Sequence, residues 1–238
     1  MNLALFDLDN TLLRGDSDYA WGEFLVERGL VDHKTFRAKN DEFYAQYRAG
    51  SLDINAYLTF ALSVIAGKTV DDIASLHHQF MQAKIQTMIL EAAWTLLDKH
   101  RHDLCVIVTA TNSFVTAPIA RHLGVPHLIA CDVEIIDNRY TGRAVGIPSF
   151  QAGKVTRVEQ WLKQMGKTIA DFEQSFFYSD SLNDLPLLKV VNRPVAVDPD
   201  STLRAYALVQ GWPIISLRES LAEMPQPVNS FTPADQLA

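Results

Sequence analysis

Two patterns of hydrophobic and polar positions divide the chain. From residue 16 to residue 100, apolar side chains recur every three or four positions, as they do along one face of a helix. The clearest stripe consists of Ile54, Tyr57, Leu58, Ala61, Leu62 and Ile65. Gly29, Gly50 and Gly67 fall between such stretches, where helices commonly end. The region therefore predicts a small helical bundle.

Short apolar runs that alternate with helical stretches form the second pattern, after residue 100. Strands are predicted at 104–110, 176–180 and 194–198, and helices at 113–124, 154–166 and 201–211. Strands that are apolar on both faces are typical of parallel sheets with helices on either side. Residues 3–8 read as one more such strand, so the helical bundle is predicted to interrupt an α/β domain directly after its first strand.

These patterns predict a domain organisation. Residues 1–15 and 101–222 form the α/β core, and residues 16–100 form the inserted helical domain. Two β-rich arms around Asp137 and Asn138 predict a hairpin insertion at 132–146. The Pro-rich and polar stretch 223–238 is expected to be a C-terminal tail.

Composition and charge narrow the functional classes. The chain has 238 residues, 48% hydrophobic and 21% charged, as in ordinary globular proteins. Its net charge of −7 disfavours nucleic acid as a partner, and an anionic substrate needs a local cation or metal. No apolar run approaches the roughly 20 residues of a membrane span, and no basic leader precedes the first strand. We expect a cytoplasmic protein without a membrane partner, and both a monomer and a homodimer stay open.

Polar residues with chemical potential cluster at the predicted carboxyl ends of the strands. Asp7 and Asp9 follow the first strand, Thr109 and Thr111 end the next, and Asp180 ends another, with Asp184 four residues on. Ligands of open α/β sheets bind at this edge. Lys154 opens a predicted helix after Gly153. Taken singly, Asp180 is explained as a turn residue and Lys154 as a surface residue. Two neighbouring carboxylates at Asp7 and Asp9, however, need a cation or a shared proton.

This arrangement resembles the haloacid dehalogenase superfamily. Its first motif, D-x-D-x-T, corresponds to Asp7, Asp9 and Thr11. The resemblance implies that Thr109 is the second-motif hydroxyl, Lys154 the third-motif lysine, and Asp180 and Asp184 the fourth-motif acids. It also implies a Rossmann-like parallel sheet with a helical (C1-type) cap, here residues 16–100, similar to the phosphoserine-phosphatase-like branch that includes histidinol-phosphate phosphatases.

The resemblance further implies roles for individual residues. Asp7 is the expected nucleophile that forms an aspartyl-phosphate, and Asp9 the general acid and base. The expected ligands of Mg²⁺ are Asp7, the carbonyl of Asp9, and Asp180. Lys154 and Thr109 are expected to hold the phosphoryl oxygens. Asp184 is expected to steady the lysine or the ligands of the metal, and Asn183 is expected to lie beside these groups without contacting the substrate. Candidate substrate-binding residues are Thr111, Arg48 and Asp16, although Arg48 and Asp16 are also explained as surface charges.

The resulting expectation is a Mg²⁺-dependent phosphomonoesterase for a small metabolite, an amino-alcohol or amino-acid phosphate such as histidinol phosphate or phosphoserine. The stretch TATNS at 109–113 replaces a family turn of serine and two glycines, and this bulk argues against phosphoserine. A phosphotransferase or mutase of the same superfamily, a dehalogenase, and a receiver-type phospho-acceptor module are the alternatives. In the cap, the adjacent His77 and His78 are expected to be solvated.

Overall fold

The computed structural model describes residues 1–218, and the predicted tail at 223–238 lies outside them. These residues form a sheet of β1 (Leu3–Phe6), β2 (Leu104–Asn112), β3 (His127–Ile136), β4 (Arg139–Val145), β5 (Ser175–Ser179), β6 (Arg193–Val197) and β7 (Ile214–Ile215). The order across the sheet is β4-β3-β2-β1-β5-β6-β7. Each neighbouring pair runs parallel except β3 and β4. The predicted α/β class is confirmed, and β1 lies at the centre of the sheet.

Helices fill the predicted insertion and the crossovers. After β1 come α1 (Ser17–Glu27), α2 (His33–Arg48), α3 (Ile54–Ser63), α4 (Val70–Phe80), a π-helical turn (Met81–Ile85), α5 (Gln86–Met88) and α6 (Glu91–Lys99). Later in the chain come α7 (Ser113–His122), α8 (Ala152–Gln164), α9 (Leu185–Leu188) and α10 (Ser201–Gln210). Within residues 1–218, no helix combines the length and the hydrophobicity that crossing a membrane requires.

Side-chain oxygens fix where the helices of the insertion begin. Asp16, Asp32, Asp53 and Thr69 are the N-caps of α1 to α4, and each accepts a hydrogen bond from a backbone N–H in the first turn. An N-cap of this kind satisfies one of the donors that a helix leaves free, and typically contributes about 1 kcal/mol. The insertion is therefore divided into helices by its short polar residues as well as by its glycines.

The sheet is buried on both faces, as its apolar strands predict. Leu3 and Leu5 of β1 belong to one hydrophobic cluster, which α8, α9 and α10 cover. Ala4 and Phe6 point to the opposite face and belong to a second cluster with residues of α6 and α7. Helices α1 and α4 contribute Trp21 and other buried residues to this second cluster. The insertion and one face of the sheet thus share a continuous hydrophobic core.

The hairpin connects the sheet edge with the insertion. β3 and β4 pair antiparallel around Asp137 and Asn138, whose φ angles of 49° and 61° are those of a two-residue type I′ turn. The backbone N–H of Tyr140 donates to the Lys68 carbonyl at 3.0 Å, and that of Gly67 to the Tyr140 carbonyl at 2.8 Å. The hairpin therefore pairs with the loop before α4. The numerical domain boundaries remain a prediction.

His77 corrects one expectation of the sequence. It is 3% exposed, whereas its neighbour His78 is exposed as expected. The helical periodicity of α4 places His77 on the same face as the buried Ile73 and Phe80, which are four residues before it and three residues after it. Its Nε2 lies 2.6 Å from the Val115 carbonyl oxygen, which can only accept a hydrogen bond, so Nε2 carries a proton. Burial lowers the pKa of His77.

We predict that His77 makes the fold sensitive to acid. Because its folded-state pKa is lowered, the unfolded chain binds more protons once the pH falls below about 6.5. This single group can then decrease the free energy of unfolding by up to about 1.4 kcal/mol per pH unit. Urea unfolding of His77→Gln between about pH 7 and pH 5.5 should show a correspondingly weaker pH dependence than the wild type. The control His78→Gln should follow the wild type, and equal slopes for both variants would contradict the prediction.

Candidate active site

Three adjacent strands bring the predicted site residues to one edge of the sheet. β2, β1 and β5 are neighbours and run parallel, so their carboxyl ends lie side by side. Asp7 and Asp9 follow β1, Thr109 and Thr111 lie near the end of β2, and Asp180 follows β5. The order of the strands across the sheet thus brings residues that are distant in the sequence into a single cluster.

Lys154 lies beneath this cluster and joins two of its acids. Its Nζ is 2.8 Å from Oδ1 of Asp7 and 2.7 Å from Oδ1 of Asp184, and the lysine is 1% exposed. Ser179 donates to Oδ2 of Asp184 at 2.7 Å. Burial by itself lowers the pKa of Lys154, but Asp184 and Asp7 together raise it above its usual range. The lysine is therefore held as a cation.

Gly153 is required for this placement of Lys154. A Cβ atom at Gly153 would lie 2.1 Å from the Pro148 carbonyl oxygen, which is a backbone atom and cannot move aside easily. Gln151, the residue directly before α8, has a φ angle of +48°, which is uncommon for a residue with a side chain. The start of α8 is thus tightly folded, and this fold directs Lys154 into the interior.

Asp9 receives neutral hydrogen-bond donors instead of the lysine. The backbone N–H of Ser17 donates to its Oδ1 at 2.6 Å, and the Thr111 hydroxyl donates to its Oδ2 at 2.8 Å. Thr109 approaches the same Oδ2 at 3.4 Å. Burial raises the pKa of Asp9 in spite of these bonds. Asp7 and Asp9 thus share an edge of the sheet but differ in their partners.

Thr11 connects the first and the last strand of the cluster. Its hydroxyl lies 3.2 Å from Oδ1 of Asp180 and 3.4 Å from Oδ2 of Asp7, and it accepts a hydrogen bond from the backbone N–H of Asp180 at 3.1 Å. A hydroxyl has one proton, so it can donate to one of these carboxylates at a time. Thr11 therefore spaces the two acids without neutralising them.

Negative charge exceeds positive charge at this edge. Burial raises the pKa of Asp7 to about 7 against the attraction of Lys154. Burial also raises the pKa of Asp180 well above its usual range, and Asp7 and Asp184 add to the effect. Within residues 1–218 no three His, Cys, Asp or Glu side chains form a metal-binding group. The predicted set instead combines Asp7 and Asp180 with a backbone carbonyl, an all-oxygen set that suits Mg²⁺ with retained waters.

Two cavities adjoin the cluster and divide the predicted substrate-binding residues. Asp7, Asp9, Thr109, Thr111 and Asp16 line the first cavity, which we call the catalytic pocket. Arg48 is exposed and lines a second, outer groove together with Asp180 and Asn183. The structure therefore brings Asp16 into the same cavity as Asp7 and Asp9 but places Arg48 in the outer groove.

Tyr47 lines both cavities and contacts the strand-end residues from α2. Its carbonyl accepts a hydrogen bond from Nδ2 of Asn183 at 3.0 Å, and its hydroxyl hydrogen-bonds with Ser181. Oδ1 of Asn183 accepts in turn from Gln151 at 3.1 Å. Asn183 thus connects the insertion with the segment that precedes Lys154.

Several residues of the site were not predicted from the sequence. They are Tyr47, Ser179 and Ser181 around the fourth-motif acids, and Asp18, Tyr57 and Asn112 beside the catalytic pocket. Asp18 resembles an ordinary first-turn acid of a helix, so its sequence context gives no indication of its burial.

Comparisons with known proteins agree with this geometry. The model of the haloacid dehalogenase-like hydrolase family matches residues 4–189. The chain is 41% identical over 220 residues to a histidinol-phosphatase of Neisseria meningitidis serogroup C (strain 8013), covering 91% of this chain and 99% of the relative.

Solved structures give the same result for the fold. A protein of unknown function from Bordetella pertussis Tohama I has a TM-score of 0.86 at 48% identity, covering 91% of this chain and 98% of that one. A phosphoserine phosphatase holding an analogue of its phospho-aspartyl intermediate has a TM-score of 0.65 at 16% identity, covering 93% and 96%. At this identity the second likeness supports the fold alone.

We predict that the Lys154 charge is essential for stability. Lys154→Met leaves Asp7 and Asp184 buried without their cation, a change that typically costs about 3–5 kcal/mol. Urea unfolding at neutral pH measures the loss. Lys163→Met, an exposed change on the same helix, should alter stability by less than about 0.5 kcal/mol. Adding Asp184→Asn to Lys154→Met should recover part of the loss. A loss below about 1 kcal/mol in the single variant would contradict the charge argument.

A second prediction concerns Asn183. Asn183→Ala removes the donor to the Tyr47 carbonyl and the acceptor for Gln151, so the end of α2 should open more often. Hydrogen exchange of amides in residues 44–52 should accelerate about fivefold, since a lost hydrogen bond costs about 1 kcal/mol. Asn192→Ala, which removes a hydrogen bond at the start of β5, serves as the control. Unchanged exchange at 44–52 would show that Asn183 does not hold the insertion.

Proposed function

The chain belongs to the haloacid dehalogenase-like hydrolase family as a phosphatase, and from that premise we propose that it is a Mg²⁺-dependent phosphomonoesterase of a small metabolite. The observation that carries the proposal is the different environment of the two acids after β1. Asp7 contacts the Lys154 ammonium, whereas Asp9 is held by two neutral donors, the Ser17 amide and the Thr111 hydroxyl. Environments that separate two carboxylates in this way suit a nucleophile and an acid.

The residues support a two-step reaction. In the first step a carboxylate oxygen of Asp7 attacks phosphorus, the bond from phosphorus to the leaving oxygen breaks, and Asp9 gives its proton to that oxygen. In the second step Asp9 takes a proton from water as the water attacks phosphorus. This step releases phosphate and restores Asp7. Because the Thr111 hydroxyl and the Ser17 amide fix the Asp9 carboxyl, its proton is held at a defined position.

Charge on the phosphoryl group is dispersed by this chain's donors. Lys154 already contacts Asp7, and Thr109 lies on the opposite side near Asp9, so both can reach oxygens of a phosphoryl group on Asp7. Asp184 anchors Lys154, and Asn183 adjoins Asp184 in the same turn. In the proposal Asp7, the Asp9 carbonyl and Asp180 hold Mg²⁺, which supplies the positive charge that the site otherwise lacks.

The substrate that we favour is an amino-alcohol phosphate such as histidinol phosphate, with phosphoserine as the alternative. The 41% identical relative is a histidinol-phosphatase, and the chain spans nearly all of it. Asp16 lines the catalytic pocket and can attract an ammonium group. A phosphotransferase or mutase differs only in the acceptor that replaces water. A receiver-type module is disfavoured because the end of β2 carries Thr109 and Thr111 and no acid. The cytoplasmic location and the oligomeric state stay predictions.

We predict that activity requires Asp7, Asp9 and Mg²⁺. Release of phosphate from histidinol phosphate should cease in Asp7→Asn and when the metal is chelated. In Asp9→Asn, kcat/KM, which reports the first step alone, should fall by about 10²–10⁴-fold, the usual contribution of a general acid. The loss should be smaller with p-nitrophenyl phosphate, because p-nitrophenolate leaves without needing a proton.

The matched control for these variants is Asp98→Asn, whose side chain is 71% exposed. It should keep the wild-type rate. Full activity of Asp7→Asn would exclude Asp7 as the nucleophile, and equal losses of Asp9→Asn on both substrates would exclude Asp9 as the acid.

A further inference from the structure

The helices of the insertion provide one wall of the catalytic pocket. Asp16 and Asp18 come from α1, Phe43 and Tyr44 from α2, and Tyr57 from α3. We call these five residues the cap wall. The opposite wall contains Asp7, Asp9 and the threonines of β2. A phosphomonoester with its phosphorus beside Asp7 must therefore present its alcohol portion to the cap wall.

The charge of the catalytic pocket restricts that alcohol. Four carboxylates line it, those of Asp7, Asp9, Asp16 and Asp18, and among its described lining residues there is no lysine or arginine. Lys154 lies beneath Asp7 and is saturated by two acids, and Arg48 faces the outer groove. A carboxylate on the substrate would meet like charge here, whereas cationic nitrogen groups would meet opposite charge.

Asp18 is a buried carboxylate of the cap wall that has no cation among its described partners. It is 6% exposed, and its Oδ2 accepts from Nδ2 of Asn112 at 3.2 Å. The Tyr57 hydroxyl also donates to it. Both partners are neutral, and burial raises the pKa of Asp18 to about 7. Asp16 differs, because its Oδ1 caps α1 by accepting from the Tyr19 amide at 2.8 Å.

Asn112 supports Asp18 from outside the pocket. It is fully buried and does not line the catalytic pocket, and its Nδ2 donates to Oδ2 of Asp18. Its own Oδ1 has no hydrogen-bond partner among the described residues. The Asn112 amide thus fixes one oxygen of Asp18, and Asp18 is the residue of this pair that lines the pocket and can accept a hydrogen bond from a ligand.

Resting on the proposed function, we infer that Asp18 and Tyr57 form a subsite for a second nitrogen group of the substrate, beyond the amine that Asp16 can attract. The class of substrate is a phosphomonoester of an alcohol that carries two basic nitrogens and no carboxylate. The rings of Phe43, Tyr44 and Tyr57 suit a flat, protonated heterocycle, because aromatic faces attract cations. Histidinol phosphate belongs to this class and phosphoserine does not.

The test compares three phosphomonoesters with the wild-type enzyme. Histidinol phosphate has two nitrogen groups, O-phosphoethanolamine has one, and O-phosphoserine has one together with a carboxylate. The inference predicts that kcat/KM decreases in this order, by at least about tenfold at each step, which is the scale of a hydrogen bond to a charged group. Phosphoserine turned over as efficiently as histidinol phosphate would overturn it.

The variants then locate the selectivity at Asp18. In Asp18→Asn, which keeps the side-chain shape, the ratio of kcat/KM for histidinol phosphate to that for O-phosphoethanolamine should fall at least about tenfold. Tyr57→Phe, which removes the hydroxyl alone, should lower the ratio by about threefold or more. Asp98→Asn should leave the ratio unchanged. A ratio within twofold of wild type in Asp18→Asn, with the fold intact by circular dichroism, would overturn the assignment.

The same measurements separate this inference from the proposed function. If the wild type hydrolyses no phosphomonoester, including p-nitrophenyl phosphate, then the phosphatase proposal itself fails. If it hydrolyses p-nitrophenyl phosphate but does not discriminate among the three metabolites, the phosphatase proposal stands and the subsite is refuted. If Asp18→Asn does not fold, the wild-type order of the three substrates still decides whether the substrate class is right.

Discussion

The ion pairs of Lys154 are the interaction on which the active-site edge depends. Asp7 and Asp184 are both nearly inaccessible, and each would be costly to bury as an isolated charge. One ammonium between them offsets this cost and at the same time fixes the distance between β1 and the turn after β5. This placement of the lysine also requires Gly153, the residue before it, and Ser179, which donates a hydrogen bond to Asp184. Residues from three separate segments thus depend on the same charge.

The strands of the sheet could be predicted from the sequence because strands that are buried on both faces consist of continuous apolar runs. β1, β2, β5 and β6 are hydrophobic on both faces, and the site followed from the polar residues that end them. Prediction failed where a polar residue is buried by its helix register. His77 was expected to be solvated beside His78, yet the packing of α4 buries it, and Asp18, which no pattern in the sequence singled out, is buried by the packing of α1. Local sequence does not contain the partner surface that decides such cases.

Contacts between the insertion and the strand ends could not be predicted from local sequence either. Tyr47 reaches Ser181 and Asn183, which lie more than 130 positions away along the chain. Nothing near Tyr47 in the sequence indicates these partners. The Tyr47 hydroxyl hydrogen-bonds with Ser181, and the Tyr47 carbonyl accepts from Asn183. Both contacts follow from how the insertion packs on the strand ends, which is a property of the folded chain and not of either segment alone.

Asp16 shows why structural and functional interpretations of one residue need not compete. The sequence allowed Asp16 to be either a helix residue or a pocket residue, and the structure gives it both positions, since it caps α1 and also lines the catalytic pocket. Its replacement would therefore change helix stability together with any substrate contact. Asp18, one half-turn later, does not cap the helix. A change at Asp18 can alter the cap wall while the start of α1 is retained, so substrate selectivity can vary without loss of the fold.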